Sequence, residues 1–248
     1  MAKSIENSEI WNKVLDTALQ IPGAKIDRNE FLKKEFEKYC NSDTIDNIVK
    51  FGVFKAGVEL KLLDTIIDEI INNHTGIATS ISFATGIPGG MAMLATVPAD
   101  IAQYYYHMIV VAQKISYIYG FVEFEFKNDD HKSLLTLLIG VMADVEGADD
   151  TFEKIFSSEA IKDFTILVIG KTFNKTIMKI AVGLSFRLTG KIVFKTIWKT
   201  IPIVGGIVSG GITLATFKPM CIKLKNRLRE SVLTLSKDVS TKIKKKNK

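Results

Sequence analysis

The chain has few of the residues from which catalytic and metal centres are built. Its 248 residues include two cysteines and three histidines. Cys40 and Cys221 form neither a CxxC pair nor a disulfide framework, which favours a reduced, cytosol-facing protein. Residues 1–7, Met-Ala-Lys-Ser-Ile-Glu-Asn, contain no apolar h-region, which argues against a secretory signal.

The motifs of common catalytic classes are also missing. The segment from Gly86 to Gly90 has no P-loop lysine, and no serine stands in a nucleophile elbow. The carboxylates between Asp144 and Asp150 lack EF-hand spacing, so a solvated acidic turn is a better interpretation than a calcium loop. We expect no cofactor and no metal, and a non-enzymatic protein rather than an enzyme.

The charge that is present is unevenly distributed. Residues 1–160 hold 14 Lys or Arg against 24 Asp or Glu, a net of −10, and residues 161–248 hold 19 against 3, a net of +16. Such a basic half predicts an anionic partner, either lipid headgroups or nucleic acid. Nucleic acid is disfavoured because the lysines alternate mainly with aliphatic residues and leave few aromatics for stacking. Alternatively, the two halves attract one another.

Two charge-free apolar stretches are each interrupted by glycine. Residues 77–99 exceed the ~20 residues of a membrane span, but a Gly-Ile-Pro-Gly-Gly break predicts a helical hairpin instead. In residues 200–217 the glycines stand at spacings that let two helices approach closely. We expect an all-α fold in which two glycine-interrupted apolar hairpins pack centrally. The expected helix-packing residues are Gly86, Gly89, Gly90, Gly205, Gly206, Gly210 and Gly211.

Local signals divide the remainder into helices. Asp27 with Glu30 is the expected capping pair of one helix, Asn41-Ser42-Asp43 is expected to open the next, and Asn128-Asp129-Asp130 is expected to cap another. Pro98 begins a helix that runs to Tyr119. Gly76 is expected to end the preceding helix, while residues 121–126 alternate like a short, isolated strand. We expect about eight to ten helices. They are grouped as acidic N-terminal helices (1–75), an apolar core (76–217) and a basic C-terminal helix with a frayed tail (218–248), within one domain overall.

Basic residues recur about every fourth position after Gly170. This spacing keeps them on one helical face, and two interpretations stay open: the solvated face of a packed helix, or a lipid-facing amphipathic helix. Residues 218–248 add 11 Lys or Arg against two acids. The predicted membrane- or anion-binding residues are Lys171, Lys175, Lys179, Arg187, Lys191, Lys195, Lys199, Lys223, Lys225, Arg227 and Arg229.

A polar face runs along the helix that follows Pro98. Asp100, Gln103, His107 and Lys114 recur at steps of three, four and seven. Such a face suits a proton relay or half of a metal site, but a helix cap with buried hydrogen bonds is the preferred interpretation. A hydrolase that uses Asp100 and His107 is a weaker hypothesis.

Three stretches together resemble the EcsC family of bacterial proteins: residues 89–120, residues 134–147 and residues 200–211. The resemblance covers roughly residues 10–235. It implies an all-helical bacterial protein from a family named for a protein encoded beside an ABC transporter, with no agreed catalytic residues. Many members have arginine after the aspartate, whereas Ile101 to Val111 holds none here.

The leading functional hypothesis is a non-enzymatic protein that docks on anionic membrane lipid through its basic C-terminal half. It would be cytoplasmic, and peripheral to or partly inserted in the inner membrane. A sharper version inserts the apolar hairpins and acts as a membrane-perturbing effector or toxin. The alternative is a soluble helical accessory protein that binds a membrane transporter or another protein through the acidic part of the chain, residues 1–160.

Overall fold

The computed structural model describes residues 2–80, 99–121, 123–156, 174–188 and 216–234. All regular secondary structure in these residues is α-helical, as predicted. The helices are α1 (Ala2–Leu19), α2 (Arg28–Phe36), α3 (Ser42–Phe51), α4 (Leu60–Ser80), α5 (Ala99–Ile118), α6 (Asp129–Met142), α7 (Ala148–Phe156), α8 (Asn174–Leu188) and α9 (216–234).

The helix starts follow the local sequence signals. Asp27 accepts a hydrogen bond from the backbone N–H of Glu30 at 2.8 Å, and Asn41 accepts one from Thr44 at 2.9 Å. Asn128 caps α6 in the same way. A carboxylate or amide oxygen at this position satisfies one of the orphan donors of the first turn. The predicted cap at Asp27 and the predicted helix starts at residues 41–43 and 128–130 are therefore confirmed.

Helix α5 lies at the centre of the described part of the molecule and contacts α1, α2, α4 and α6. Helix α8 packs on α1 and α6, α7 packs on α6, and α3 packs on α2. The buried apolar side chains form one cluster that extends from Trp11 to Val232. Described residues from all three expected segments therefore share one hydrophobic core.

Two local predictions are wrong. Gly76 does not end its helix, because α4 continues to Ser80. One glycine costs a helix only about 1 kcal/mol, and burial of the long apolar face of α4 outweighs that cost. Residues 121 and 123–126 form no strand. Phe121 and Phe124 are both buried, and the backbone N–H of Phe124 donates to the Tyr117 hydroxyl instead of a strand ladder.

Glycine brings α6 and α8 close together. A Cβ at Gly140 would lie 2.5 Å from Cγ2 of Ile180, and a Cβ at Gly183 would lie 2.5 Å from Cγ1 of Val145. These distances are too short for a real Cβ, so any residue larger than glycine at either position would force its neighbour to move. The helix-packing glycines predicted from the sequence, Gly86, Gly89, Gly90, Gly205, Gly206, Gly210 and Gly211, lie outside the described residues.

Candidate functional site

Three basic side chains meet between α4 and α5. Nζ of Lys114 lies 3.1 Å from Nε2 of His74, and the ring centroids of His74 and His107 are 6.2 Å apart. Because an ammonium group only donates, Nε2 of His74 accepts and its Nδ1 carries the hydrogen. Lys114 also lies 5.5 Å from the centre of the Phe31 ring. We call His74, His107 and Lys114 the basic cluster.

Burial keeps the imidazoles of the basic cluster neutral. Burial first, and then the charges of Lys114 and His107, lower the pKa of His74 to about 3. Burial also lowers the pKa of His107, and it lowers that of Lys114 although Glu35 opposes the shift. Within the described part of the chain, neither ring nitrogen of His107 nor Nδ1 of His74 has a hydrogen-bond partner. Protonating His74 would place a second cation beside Lys114 in a desolvated site.

The predicted polar face of α5 is only partly assembled. His107 is buried and Lys114 half-buried, and both belong to the basic cluster. Gln103 is half-buried on the same helix, and Asp100 lies in the first turn of α5 with its side chain outside the described part. His131 is elsewhere, where its Nδ1 accepts from the backbone N–H of Glu125. No group of three His, Cys, Asp or Glu residues capable of holding a metal occurs among the described residues.

Two polar residues of this region were missed by sequence reasoning. His74 continues the buried stripe of α4 one turn after Ile70, so helical spacing alone placed it on the inner face. Gln113 is fully buried. Its side chain donates to the Ala24 carbonyl at 2.7 Å and accepts from the Ile26 N–H at 3.2 Å. Gln113 thus fastens the α1–α2 connection to α5, which is a structural role.

The second candidate surface is α9, whose predicted anion-binding residues are paired within the molecule. Lys225 lies 2.7 Å from Asp68, and Arg229 lies 2.8 Å from Asp64, so both join α9 to α4. Asp64 also accepts a hydrogen bond from the Tyr119 hydroxyl at 2.9 Å. One carboxylate therefore links α4, α5 and α9.

The other two cations of α9 bind carboxylates of the turn after α6 and of the first turn of α7, which together we call the acidic turn. Lys223 bridges Asp144 and Asp149, and Arg227 lies 2.9 Å from Asp149. Burial alone would raise the pKa of Asp149, but hydrogen bonds from Lys223 and Arg227 outweigh it and hold that pKa below its ordinary value. The acidic turn is thus a docking site for α9. Attraction between the two halves accounts for these four cations.

Helix α8 uses its basic residues differently. Its inner face packs Ile177, Ile180 and Leu184 into the core, and its last basic residue, Arg187, donates to the Asp144 carbonyl at 2.6 Å. The opposite face carries residues at steps of four, three and four, which lie within about 60° on a helix. We call this stripe the α8 face; its members are Lys175, Lys179, Val182 and Phe186.

The α8 face combines exposed charge with exposed apolar surface. Lys175 and Lys179 are exposed and make no ion pair in the part of the chain that the structure covers. Phe186 is 48 % exposed, and Met178, at the edge of the stripe, is 41 % exposed. Single exposed apolar side chains are common on protein surfaces, and what distinguishes the α8 face is that two of them lie beside two lysines without a carboxylate partner among the described residues.

A polar groove of about 460 Å³ runs beside α8, between α1 and the start of α6. Asp16, Asp129 and Asp130 line it, and Lys132 bridges to Asp16 at 2.8 Å. Met178 forms part of its wall, whereas the α8 face points away from it. The groove is acidic and the α8 face is basic, so the two would attract different ligands.

The remaining predicted basic residues of this region, Lys171, Lys191, Lys195 and Lys199, lie outside the described residues. The two apolar glycine-rich stretches do so as well, apart from their ends. At one such end Phe217 lies against Tyr104 and His107, with ring centroids 6.4 and 6.5 Å apart. The start of α9 is therefore a neighbour of the first half of α5.

No helix in the described ranges combines the length and the hydropathy that crossing a bilayer requires. Comparison of the chain with models of protein families, with curated proteins and with solved structures finds no match.

Proposed function

We propose that this is a peripheral membrane protein that docks on anionic lipid through the α8 face. The observation that carries the proposal is the combination of exposed apolar surface at Phe186 with two exposed lysines, Lys175 and Lys179, that make no ion pair within the described ranges. Lysines suit anionic headgroups, and the apolar side chains suit the boundary between headgroups and acyl chains. The proposal keeps the basic half as the membrane side of the molecule.

The proposal moves the contact from α9 to α8. The cations of α9 are paired with Asp64, Asp68, Asp144 and Asp149, so recruiting them to lipid would require breaking those pairs. Lys175 and Lys179 have no such pair to break in the part of the chain that the structure describes. Each lysine near an anionic surface contributes about 1 kcal/mol, so two of them with a partly inserted phenylalanine give weak, reversible and salt-sensitive binding.

Flotation with vesicles tests this function. We expect the full chain to float with phosphatidylcholine vesicles that contain phosphatidylglycerol, and to float less at high salt or without the anionic lipid. Lys175→Glu with Lys179→Glu should weaken binding at least about tenfold. The matched control is Lys34→Glu with Lys38→Glu, which reverses two exposed lysines outside the basic half. A wild-type chain that stays at the bottom at low salt would refute the proposal, as would equal losses in the two variants.

A membrane-perturbing effector is the stronger version of the same proposal. It requires the glycine-rich apolar stretches to enter the bilayer after docking. Release of an entrapped dye from the vesicles would distinguish perturbation from docking alone, since docking leaves the vesicles sealed.

The alternative is a soluble accessory protein of a membrane transporter or another partner, as the resemblance to the EcsC family suggests. The basic residues would then serve internal pairing, and the remaining acids of α1 to α4 would form the contact surface. Recovery from the cytosolic fraction, together with a pull-down that depends on those acids, would favour this alternative over lipid docking.

A further inference from the structure

A second surface with the same chemistry lies between α3 and α4. Residues 50–55 read Lys-Phe-Gly-Val-Phe-Lys, and residues 50–58 contain two lysines and no acid. Phe51 is 58 % exposed and Phe54 is 40 % exposed. Lys50 and Lys55 are exposed on either side of them. We call residues 50–55 the aromatic loop.

The aromatic loop is an ordered turn that holds its phenylalanines outside. Gly52 and Gly57 adopt φ values of 86° and 74°, which favour glycine and allow the chain to turn sharply. The backbone N–H of Val58 donates to the Val53 carbonyl at 3.0 Å, and Val53 is fully buried. The buried side chain of Val53 thus anchors the loop in the core, while Phe51 and Phe54 face solvent.

The loop is also fastened to the rest of the molecule. Nη1 of Arg28 donates to the Val49 carbonyl at 3.3 Å, and its Nε donates to the Phe121 carbonyl at 2.8 Å. A Cβ at Gly120 would lie 3.6 Å from the Phe54 ring. The exposure of Phe51 and Phe54 is therefore maintained by packing and hydrogen bonds.

Building on the proposed function, we propose that the aromatic loop is a second membrane contact, in which Phe51 and Phe54 enter the interface of an anionic bilayer between Lys50 and Lys55. Lysine stems can lie along apolar surface while the ammonium groups reach the headgroups, and aromatic rings favour the same depth. The charge of the loop is complementary to anionic lipid, because Asp46 and Glu59, the nearest acids in sequence, form no ion pair with either lysine among the described residues.

Binding through both the α8 face and the aromatic loop would be more stable than binding through either surface alone. A single weak anchor gives only marginal membrane binding, and stable docking takes two. The loop lies where α5 ends, beside Gly120, and α8 starts at the groove lined by Asp129 and Asp130 at the start of α6. Only the short connection from α5 to α6 separates these points in sequence. The aromatic loop and Lys175 in the first turn of α8 therefore lie towards the same end of the bundle, and Phe186 lies about three turns further along α8.

Two kinds of variant test the loop against vesicles. Phe51→Ser, and separately Lys50→Glu with Lys55→Glu, should each weaken flotation with phosphatidylglycerol vesicles about tenfold. The matched apolar control is Ile222→Ser, which removes a 38 % exposed side chain from α9. The matched charge control is Lys34→Glu with Lys38→Glu. Both controls should bind as the wild type does.

A fluorescent probe reports insertion directly. Phe51→Trp preserves an exposed aromatic ring, and its emission should shift to the blue and be quenched by brominated lipid, beyond the background of Trp11 and Trp198 in the wild-type chain. If the wild type floats but the loop variants bind equally and Trp at position 51 is unquenched, the aromatic loop is refuted and lipid docking through α8 stands. If the wild type does not float, both proposals fail. Self-association that buries the probe without vesicles would assign the loop to a second copy of the chain.

Discussion

Helices α8 and α9 both come from the basic half of the chain, yet they use their charge in opposite ways. Three cations of α9, Lys225, Arg227 and Arg229, lie 2.7 to 2.9 Å from carboxylates of α4 and of the first turn of α7. Lys175 and Lys179 of α8 face solvent instead. A count of basic residues therefore does not identify a membrane surface. What matters is which element lies opposite each basic side chain.

The difference follows from the neighbours of each helix. Helix α8 packs between α1 and α6 with an apolar inner face, and the close approach at Gly140 and Gly183 leaves no room for charge there. Helix α9 lies beside elements that present Asp64 and Asp149. Carboxylates of the acidic residues 1–160 and cations of the basic residues 161–248 therefore form ion pairs that join α4, α7 and α9, and we call these pairs the clamp.

Removing the carboxylates of the clamp should have the largest effect on stability. Asp64→Ala with Asp149→Ala would remove the carboxylate partner of Arg229, the nearer of two partners of Arg227 and one of the two partners of Lys223. The side chains of these three cations are 29 to 39 % exposed. We expect the free energy of unfolding to fall by about 3 kcal/mol, less than for fully buried pairs because solvent screens part of each interaction. Urea denaturation followed by circular dichroism measures this loss.

A control with the same change of net charge makes that measurement specific. Asp46 and Glu59 are exposed and form no ion pair with α9 in the described residues. Asp46→Ala with Glu59→Ala should therefore change stability by less than about 0.5 kcal/mol. Equal losses in the two double variants would mean that the clamp contributes nothing beyond overall charge.

Mild acid should weaken the contact between α4 and α5 before it weakens the clamp. The folded pKa of His74 lies at about 3, below the 6.5 of the free side chain, so the unfolded chain binds a proton at higher pH than the folded chain. Stability is then greatest above pH 6.5 and falls as the pH drops towards 3. From pH 7 to pH 5 the expected loss is about 2 kcal/mol for this histidine.

The clamp behaves differently over the same range. The folded pKa of Asp149 is depressed, so its contribution is present above the unfolded value of about 3.9 and is lost only below it. Denaturation curves at pH 7, 6 and 5 should show the loss in the wild type and a smaller slope in His74→Gln, which cannot gain a proton. An unchanged slope in His74→Gln would assign the acid sensitivity to other groups.

Substitutions at two neighbouring positions of α8 compare its closely packed side, at Gly183, with the α8 face, at Val182. Gly183→Val would place side-chain atoms where Val145 already lies, and the gain in helix propensity offsets only part of the resulting strain. We expect a loss of about 1 kcal/mol. Val182→Leu, one residue earlier on the α8 face, should be close to neutral. Thermal unfolding of both variants tests the contrast, and a neutral Gly183→Val would show that α6 and α8 can separate at little cost.

Sequence reasoning succeeded where the cause of a structure is local. The helix starts at Asp27, Asn41 and Asn128 depend on residues within one helical turn. Gly76 and residues 121–126 were misjudged because tertiary burial decided against their local preference. The helical spacing that placed His74 on the inner face of α4 was available but was not used.

The surfaces could be predicted only in part because they depend on distant partners. Asp64 and Arg229 are 165 residues apart, and no periodicity in either segment indicates that they meet. The repeat of lysines on α8 was visible, but solvation and lipid contact predict the same repeat. The exposure of Phe186 on α8, and of Phe51 between two lysines, is visible only once burial is known.

Removing the exposed lysines of α8 should change stability least of all. Lys175→Ala with Lys179→Ala removes two exposed cations that have no carboxylate partner among the described residues, so the free energy of unfolding should change by less than about 0.5 kcal/mol. Raising the salt concentration should lower the stability of the wild type and of this variant equally, because salt screens the clamp of α9 in both. Chemical denaturation at low and high salt measures the two slopes. A loss above about 1 kcal/mol, or a flatter salt dependence than in the wild type, would show that the lysines of α8 also stabilise the fold, and the distinction between α8 and α9 would fail.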